Sequence, residues 1–540
     1  MLFEHRKHRM LGVGAAAIIV SLMTSACQEV QSSSANEAGK AASKESSVNA
    51  IPIGDRKVLQ GGNLVIGLSA EPDVLDPTLS SSLHMEHLAE PICEKLYDID
   101  GDGGVFPVLA TALPEISADG LTATIRVRTD AVFSDGTAMD ASAVATSLKR
   151  HFEETGSKRR SEMGPLATVA VSDAETVQLT YSEPFSPLAT ILADRAGMIM
   201  SPTRLAELGK NFGDNPSCVG PYRFVSRTQN AISYEADPNY YSPQDVHLDT
   251  IEYRFISDPS IRAANLRSGD IHIADTLSPL DMDDLIKDDS MQIIQSSVYG
   301  YQGISVNLAD DTPLARNPDL RRALTMGIDR QAIADSVFEG WYDPACSPIA
   351  PETPFSTDAS DACPDYDPDT ARELLEKSGV ELPYPVTLNV RNDADSLRLA
   401  QAYQAQLKEI GFDLTINPLE NTAFLQTLFE SDFELIASGW SGKADPHGNM
   451  YNFLHTGAGN NYAGYSSAQV DELLNEASRE VEPAARAELY GQVIGKVQDD
   501  NPLIYMYRLR SLTGVTSNVA GVEQYGNVVL RVSNAAFIED

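Results

Sequence analysis

Residues 386–416 read VTLNV RNDADSLRLA QAYQAQLKEI GFDLTI. Val386–Val390 reads as a strand. Leu399, Tyr403, Leu407 and Ile410 then fall on one face of a helix, and Gly411 is placed to stop it. Phe412–Ile416 is strand again, so the stretch is a β-α-β unit. Working outward, a short helix is expected over Thr422–Phe429 and a third strand over Phe433–Ala437, which makes a mainly parallel sheet covered by helices the economical α/β reading. Earlier in the chain, Asn63–Ser69 and the alternating Leu121–Arg128 read as strands. Asp140–Phe152 is a helix with Val144, Leu148 and Phe152 on one stripe. Ser466 with Gln469 has the form of a capping box ahead of Val470, Leu473, Leu474 and Ala477.

In open α/β sheets ligands sit outside the carboxyl ends of strands. The loop after the third expected strand, SGWSGKADPHGNMYNF, carries Trp440, Lys443, Asp445, Asn449 and Tyr451, and is the site candidate that pattern alone provides. An ordinary surface loop around a packed tryptophan is the plain alternative.

The chain has 540 residues, enough for large buried cores, and its 42% hydrophobic and 22% charged residues are those of a folded globular protein. A net charge of −37 repels phosphate backbones and argues against a nucleic-acid partner. GxSxG, HExxH and CxxC are absent. Gly442-Lys443 fails as a phosphate loop, since Ala437 and Ala444 stand where Gly and Ser or Thr belong. His84 and His87 with Glu86 and Glu90 have a spacing that can bind metal, but a solvated helix surface is the expected reading; no metal and no cofactor is implied.

The N-terminus carries Arg6, Lys7 and Arg9, an apolar run of about 14 residues from Met10 to Met23, and Thr24-Ser25-Ala26 before Cys27. Residues 1–26 read as a secretory signal peptide, and the small-small-Cys ending resembles a lipobox that would lipidate Cys27; plain cleavage near Ala26 is the alternative. Residues 27–59, rich in Ser, Ala, Glu and Lys, are expected to be a disordered tether. Four cysteines remain in an exported chain. Cys346 and Cys363 bracket a Pro/Asp/Ser-rich loop and suit a disulfide, which leaves Cys93 with Cys218; free buried thiols stay open, since sequence does not fix connectivity.

A series of segments in order resembles the family 5 extracellular solute-binding proteins, the peptide and nickel receptors of ABC importers. These are Leu75-Asp76-Pro77, Glu94-Lys95-Leu96-Tyr97, Pro107-Val108-Leu109-Ala110, Phe133-Ser134-Asp135-Gly136-Thr137, Val219-Gly220-Pro221-Tyr222, Asp237-Pro238-Asn239-Tyr240-Tyr241, Leu266-Arg267-Ser268-Gly269-Asp270, Leu320-Arg321-Arg322-Ala323-Leu324 and Tyr366-Asp367-Pro368. The resemblance spans roughly residues 62–535, and the Cys218-Val219-Gly220-Pro221 variant looks most like actinobacterial members. It implies a two-lobed, periplasmic-binding-protein-like fold (type II, cluster C) with two hinge strands. Lobe one would be 60–298 with 512–540, including an extra subdomain at about 83–195, and lobe two 299–511.

The implied function is capture of peptides or a related small solute between closing lobes, for delivery to a membrane permease, by a monomeric, lipid-anchored, extracytoplasmic protein that is not an enzyme. The expected lining residues are Ser69–Asp73 with Glu71 and Asp73, Met198–Ser201, Tyr301, Asn307, and Trp440, Ser441, Lys443 and Asp445. In peptide-binding members an acidic residue three places after the tryptophan pairs with the ligand's α-amine. Lys443 stands there instead, repelling an amine and attracting an anion, unless Asp445 takes over the amine or Lys443 simply pairs with Asp445 in solvent. Rival readings are a receptor for an anionic non-peptide solute, a sensing or haem-binding protein of the same fold, and a secreted hydrolase.

Overall fold

The computed structural model describes residues 47–539. The expected signal peptide, Cys27 and the tether up to residue 46 lie outside the described residues. The two large sheets are built from β1 (Asn63–Leu68), β2 (Tyr222–Arg227), β3 (Ala231–Ala236), β4 (Thr250–Phe255), β5 (Ile273–Ala274), β6 (Met291–Ser297), β7 (Tyr301–Val306), β8 (Asp343–Pro344), β9 (Tyr384–Arg391), β10 (Phe412–Leu419), β11 (Leu435–Trp440), β12 (Leu503–Arg508) and β13 (Arg510–Thr516). Lobe one holds a seven-stranded sheet in the order β2-β3-β4-β1-β5-β13-β6, and lobe two a six-stranded sheet in the order β8-β12-β7-β11-β9-β10. The chain passes from the first sheet to the second between β6 and β7, and returns at Leu509 between β12 and β13.

The helices that concern the site are α1 (Leu83–Ala89), α2 (Ala141–Glu153), α3 (Ala394–Ile410), α4 (Asn421–Phe429), α5 (His447–Leu454), α6 (Ala468–Arg479) and α7 (Pro483–Asp500). α3 forms where its stripe predicts: Asp393 caps it by accepting from Ser396 N, Leu399, Tyr403, Leu407 and Ile410 are buried, and Gly411 ends it at φ 108°. That face packs on β9 and β10, which pair in parallel, so the quoted stretch is the β-α-β unit it reads as. A four-stranded sheet over residues 115–181, covered by α2 through Val144 and Leu148, forms a further layer with its own core.

Several expectations change. The sheets are mixed rather than mainly parallel. β9 runs parallel to β10 and β11, and β1 parallel to β4 and β5. β7 runs antiparallel to β11 and β12, and β13 antiparallel to β5 and β6, because the chain crosses between lobes once in each direction. Residues 47–59, read as the end of the tether, join the folded body: Ala50–Ile51 pairs with residues 522–523, Val58–Leu59 with 537–538, and Ile51 is buried. α1 is not a solvated surface. Glu86 and His87 are buried, and His87 Nδ1 accepts from Leu530 N at 3.0 Å. The cap of α6 is Ser467, accepting from Val470 N, rather than Ser466. Disulfides join Cys93 to Cys218 and Cys346 to Cys363. No helix among the described residues is long and apolar enough to cross a membrane.

Candidate functional site

β11 ends at Trp440, and the loop beyond it is pressed against the first crossing. A side chain at Gly442 would strike the backbone of Tyr299 and Gly300, and one at Gly300 would strike the carbonyl of Trp440. Gly442 also sits at φ +90°, a conformation that favours glycine. One amide then fixes the loop. Asn449 Oδ1 accepts from Trp440 Nε1 at 3.0 Å and from Lys443 N at 2.7 Å, while its Nδ2 donates to Lys443 O at 2.8 Å. The Trp440 ring lies 5.1 Å from that of Phe453 on α5, so the indole is held by a hydrogen bond at its N–H edge and by a neighbouring ring.

Two cavities open between the lobes on either side of this loop. The larger, about 700 Å³, is lined by Lys158, Thr190, Asp194 and Arg195 of lobe one and by Phe429, Lys443 and Tyr462 of lobe two. The smaller, about 550 Å³, is lined by Ser69, His84 and Thr276 on one side and Gln302, Tyr403 and Ser441 on the other. Arg391, Leu428, Gly439 and Trp440 line both, so the two are halves of one cleft. Their volumes suit small solutes or short peptides.

Charges in this cleft are matched across it. Lys443 Nζ reaches Asp194 Oδ2 of lobe one at 2.5 Å, and the lysine side chain is 16% exposed. Burial alone would raise the Asp194 carboxyl, but the Lys443 ammonium and Arg195 guanidinium outweigh it and hold it well below the usual carboxylate range. Asp445 is buried in a two-pronged pair with Arg486 at 2.9 and 2.8 Å, which likewise overcomes burial and keeps it ionised. Thr190 Oγ1 donates to Asp445 Oδ2 at 3.4 Å, and Ser186 N to Ser478 O at 2.9 Å, two more links between the lobes. Glu86, beside Arg195 at 3.6 Å, has its carboxyl pushed up, by burial first and by Asp194 next. Two cations differ. Arg391, at the end of β9, is exposed with its guanidinium 5.0 Å from the Phe424 ring, and Lys158 is exposed; neither has a carboxylate partner among the described residues.

The residues singled out from sequence separate accordingly. Trp440, Ser441, Lys443 and Asp445 line the cleft, as does Ser69, whose Oγ donates to Asp275 Oδ2 at 2.9 Å. Glu71 is paired with Arg227 at 2.6 Å and Asp73 with Ser80, and neither lines either cavity. Tyr301 is buried against Tyr505, ring centroids 4.7 Å apart. Asn307 is committed to Ser431 O at 2.9 Å and to Ala309 N at 3.0 Å. Met198 and Met200 belong to the lobe-one core. Lys443 pairs with Asp194, not with Asp445, and the Arg486 pair leaves Asp445 no free edge for an amine. Arg391, Phe424, Lys158 and Asp194 are additions. Arg391 directly follows the strand Val386–Val390, so the strand-end rule reaches it; nothing local marks Asp194.

Two α/β lobes, two crossing strands and a solute-sized cleft between them define a two-lobed solute-binding protein. The family model for bacterial extracellular solute-binding proteins, family 5, matches residues 104–461, and the chain belongs to that family, the solute receptors of ABC importers. It is 27% identical over 474 residues to the glutathione-binding protein GsiB of Escherichia coli O6:K15:H31, covering 85% of this chain and 91% of the relative. Its fold matches the periplasmic binding protein DppA of Helicobacter pylori in complex with the peptide STSA, at a TM-score of 0.80, 23% identity, and 89% and 99% of the two chains. It also matches AgaA of A. tumefaciens R10 in complex with agropinic acid, at 0.79, 24% identity and the same coverage.

Proposed function

We propose that this chain is the lipid-anchored, extracytoplasmic receptor of an ABC importer. It captures peptides or a related small solute between lobes that close on it and hands the solute to the permease, as a monomer and without turnover. Residues 60–298 with 512–540 act as one body and 299–511 as the other, a division that the strand crossings at 298–300 and 509 support. The observation that carries the reading is the divided cleft walled by both lobes around Trp440. Relatives named for glutathione, a peptide and agropinic acid support solutes of this size and polarity. An anchor at Cys27 rests on the lipobox-like Thr24-Ser25-Ala26-Cys27.

A second reading, an anionic non-peptide solute, is favoured by the exposed Arg391 and Lys158, which line the cleft without a carboxylate partner among the described residues. Titration of tryptophan fluorescence separates the two. Trp440 lines the cleft while Trp341 is buried away from it, so saturable quenching by di- to octapeptides identifies a peptide receptor. Quenching by small organic acids alone, lost in Arg391→Ala, identifies the second. Turnover of any bound solute would refute both.

A further inference from the structure

The acid that an amine-bearing solute would meet in the larger cavity is Asp194, and the chain already supplies its counter-ion. Lys443 and Asp194 come from opposite lobes, both line that cavity, and their charged atoms lie 2.5 Å apart. Asp194 is fixed in place, accepting from Arg195 N at 2.6 Å and Arg195 Nε at 3.3 Å. Behind it Glu86 is buried, and its Oε1 has no hydrogen-bond partner. Arg159 is matched by Glu162 at 2.8 Å. Without Lys443, Asp194 would face the cavity with Arg195, which it shares with the buried Glu86, as its one paired cation among the described residues, and a carboxylate so placed attracts a cation. With Lys443 the Asp194 carboxylate already holds an ammonium. An ammonium arriving on a solute would have to displace one that is tethered to the same chain and therefore present at high effective concentration.

We propose that Lys443 fills from within the protein the place that a solute's amine would otherwise occupy, so that this receptor selects solutes whose amine is blocked or missing. The inference rests on the reading that the cleft is the solute site, and it makes Lys443 a specificity-determining residue through charge already satisfied rather than through contact alone.

The test compares a tetrapeptide pool having free N-termini with the same pool N-acetylated. Each is titrated by calorimetry into the full chain as wild type, Lys443→Met, Lys443→Gln, and Lys443→Met combined with Asp194→Asn, after thermal melting shows which variants are folded. The expected result is that wild type binds the acetylated pool at least as tightly as the free one. Lys443→Met and Lys443→Gln should shift the ratio about tenfold or more toward free amines, and Asp194→Asn should remove that shift. A tenfold preference of wild type for free amines, or a ratio that stays within twofold in both lysine variants, overturns the proposal. If wild type binds neither pool, the peptide reading of the cleft fails. The lysine variants then decide the inference alone: free-amine binding gained by them upholds it, and none gained overturns it.

Discussion

Asn449 shows how much one side chain organises. Its amide bonds the Trp440 indole and both backbone groups of Lys443, so Asn449→Ala frees three partners at once. The variant should bind its solute at least tenfold more weakly and show a red-shifted tryptophan emission; unchanged emission would mean the loop is held by Gly442 and Gly300 without it. Glu94 makes a second residue-scale prediction. Burial, partly offset by bonds from Tyr240 and Tyr241, lifts its carboxyl to about 7. The native state then keeps a proton that the unfolded chain, titrating near 4.5, loses, so this group's contribution falls as pH rises from 4.5 to 7. Glu94→Gln lacks that loss, and its stability relative to wild type should grow across this window by about 3 kcal/mol in urea unfolding. A relative stability that is flat with pH would place Glu94 as an ordinary ionised carboxylate. At this scale the sequence was informative about the loop and silent about its partner. Trp440, Ser441 and Lys443 announce themselves after a strand, whereas Asp194 is separated from Lys443 by 249 residues and carries no local signal.

The elements were the most legible level. α3 stands where its apolar stripe puts it because burial of Leu399, Tyr403, Leu407 and Ile410 against β9 and β10 is what holds it. Leu407 is fully buried there, so Leu407→Ala should cost about 2–5 kcal/mol, read as a lowered urea midpoint; a loss under 1 kcal/mol would show that α3 is held by other contacts. Strand direction was less legible. Alternation says which face of β7 or β13 is buried but not which way its neighbour runs, and that follows from the two crossings. α1 misled for a related reason: its charged spelling, His84, Glu86, His87 and Glu90, suggests solvent, yet each polar group finds a fixed partner or a low-dielectric site inside lobe one.

The whole molecule is held by long-range closures that no local pattern describes. Cys93 and Cys218 are joined across a separation of 125 residues, Cys346 and Cys363 across 17. Loop-closure entropy makes the longer bridge the more stabilising. Paired Cys→Ala replacement at 93 and 218 should therefore lower stability by about 2–5 kcal/mol and by more than replacement at 346 and 363. The reverse order would mean that residual structure in the unfolded chain outweighs loop length.

The return of the chain at Leu509 also sets an order of events in time. β13 is synthesised after every strand of the lobe-two sheet, yet it lies between β5 and β6 in the interior of the lobe-one sheet. The sheet cannot close until that strand arrives, whereas β7 to β12 are complete once Arg508 has emerged. The later-made lobe is thus the first able to fold, and the earlier-made one waits on β13 as an arch waits on its keystone. A chain stopped at Arg508 should accordingly show cooperative unfolding of lobe two with amide protons in β5 and β6, the two strands that pair with β13, exchanging freely. Protection of those amides would show that this end of the lobe-one sheet closes without β13.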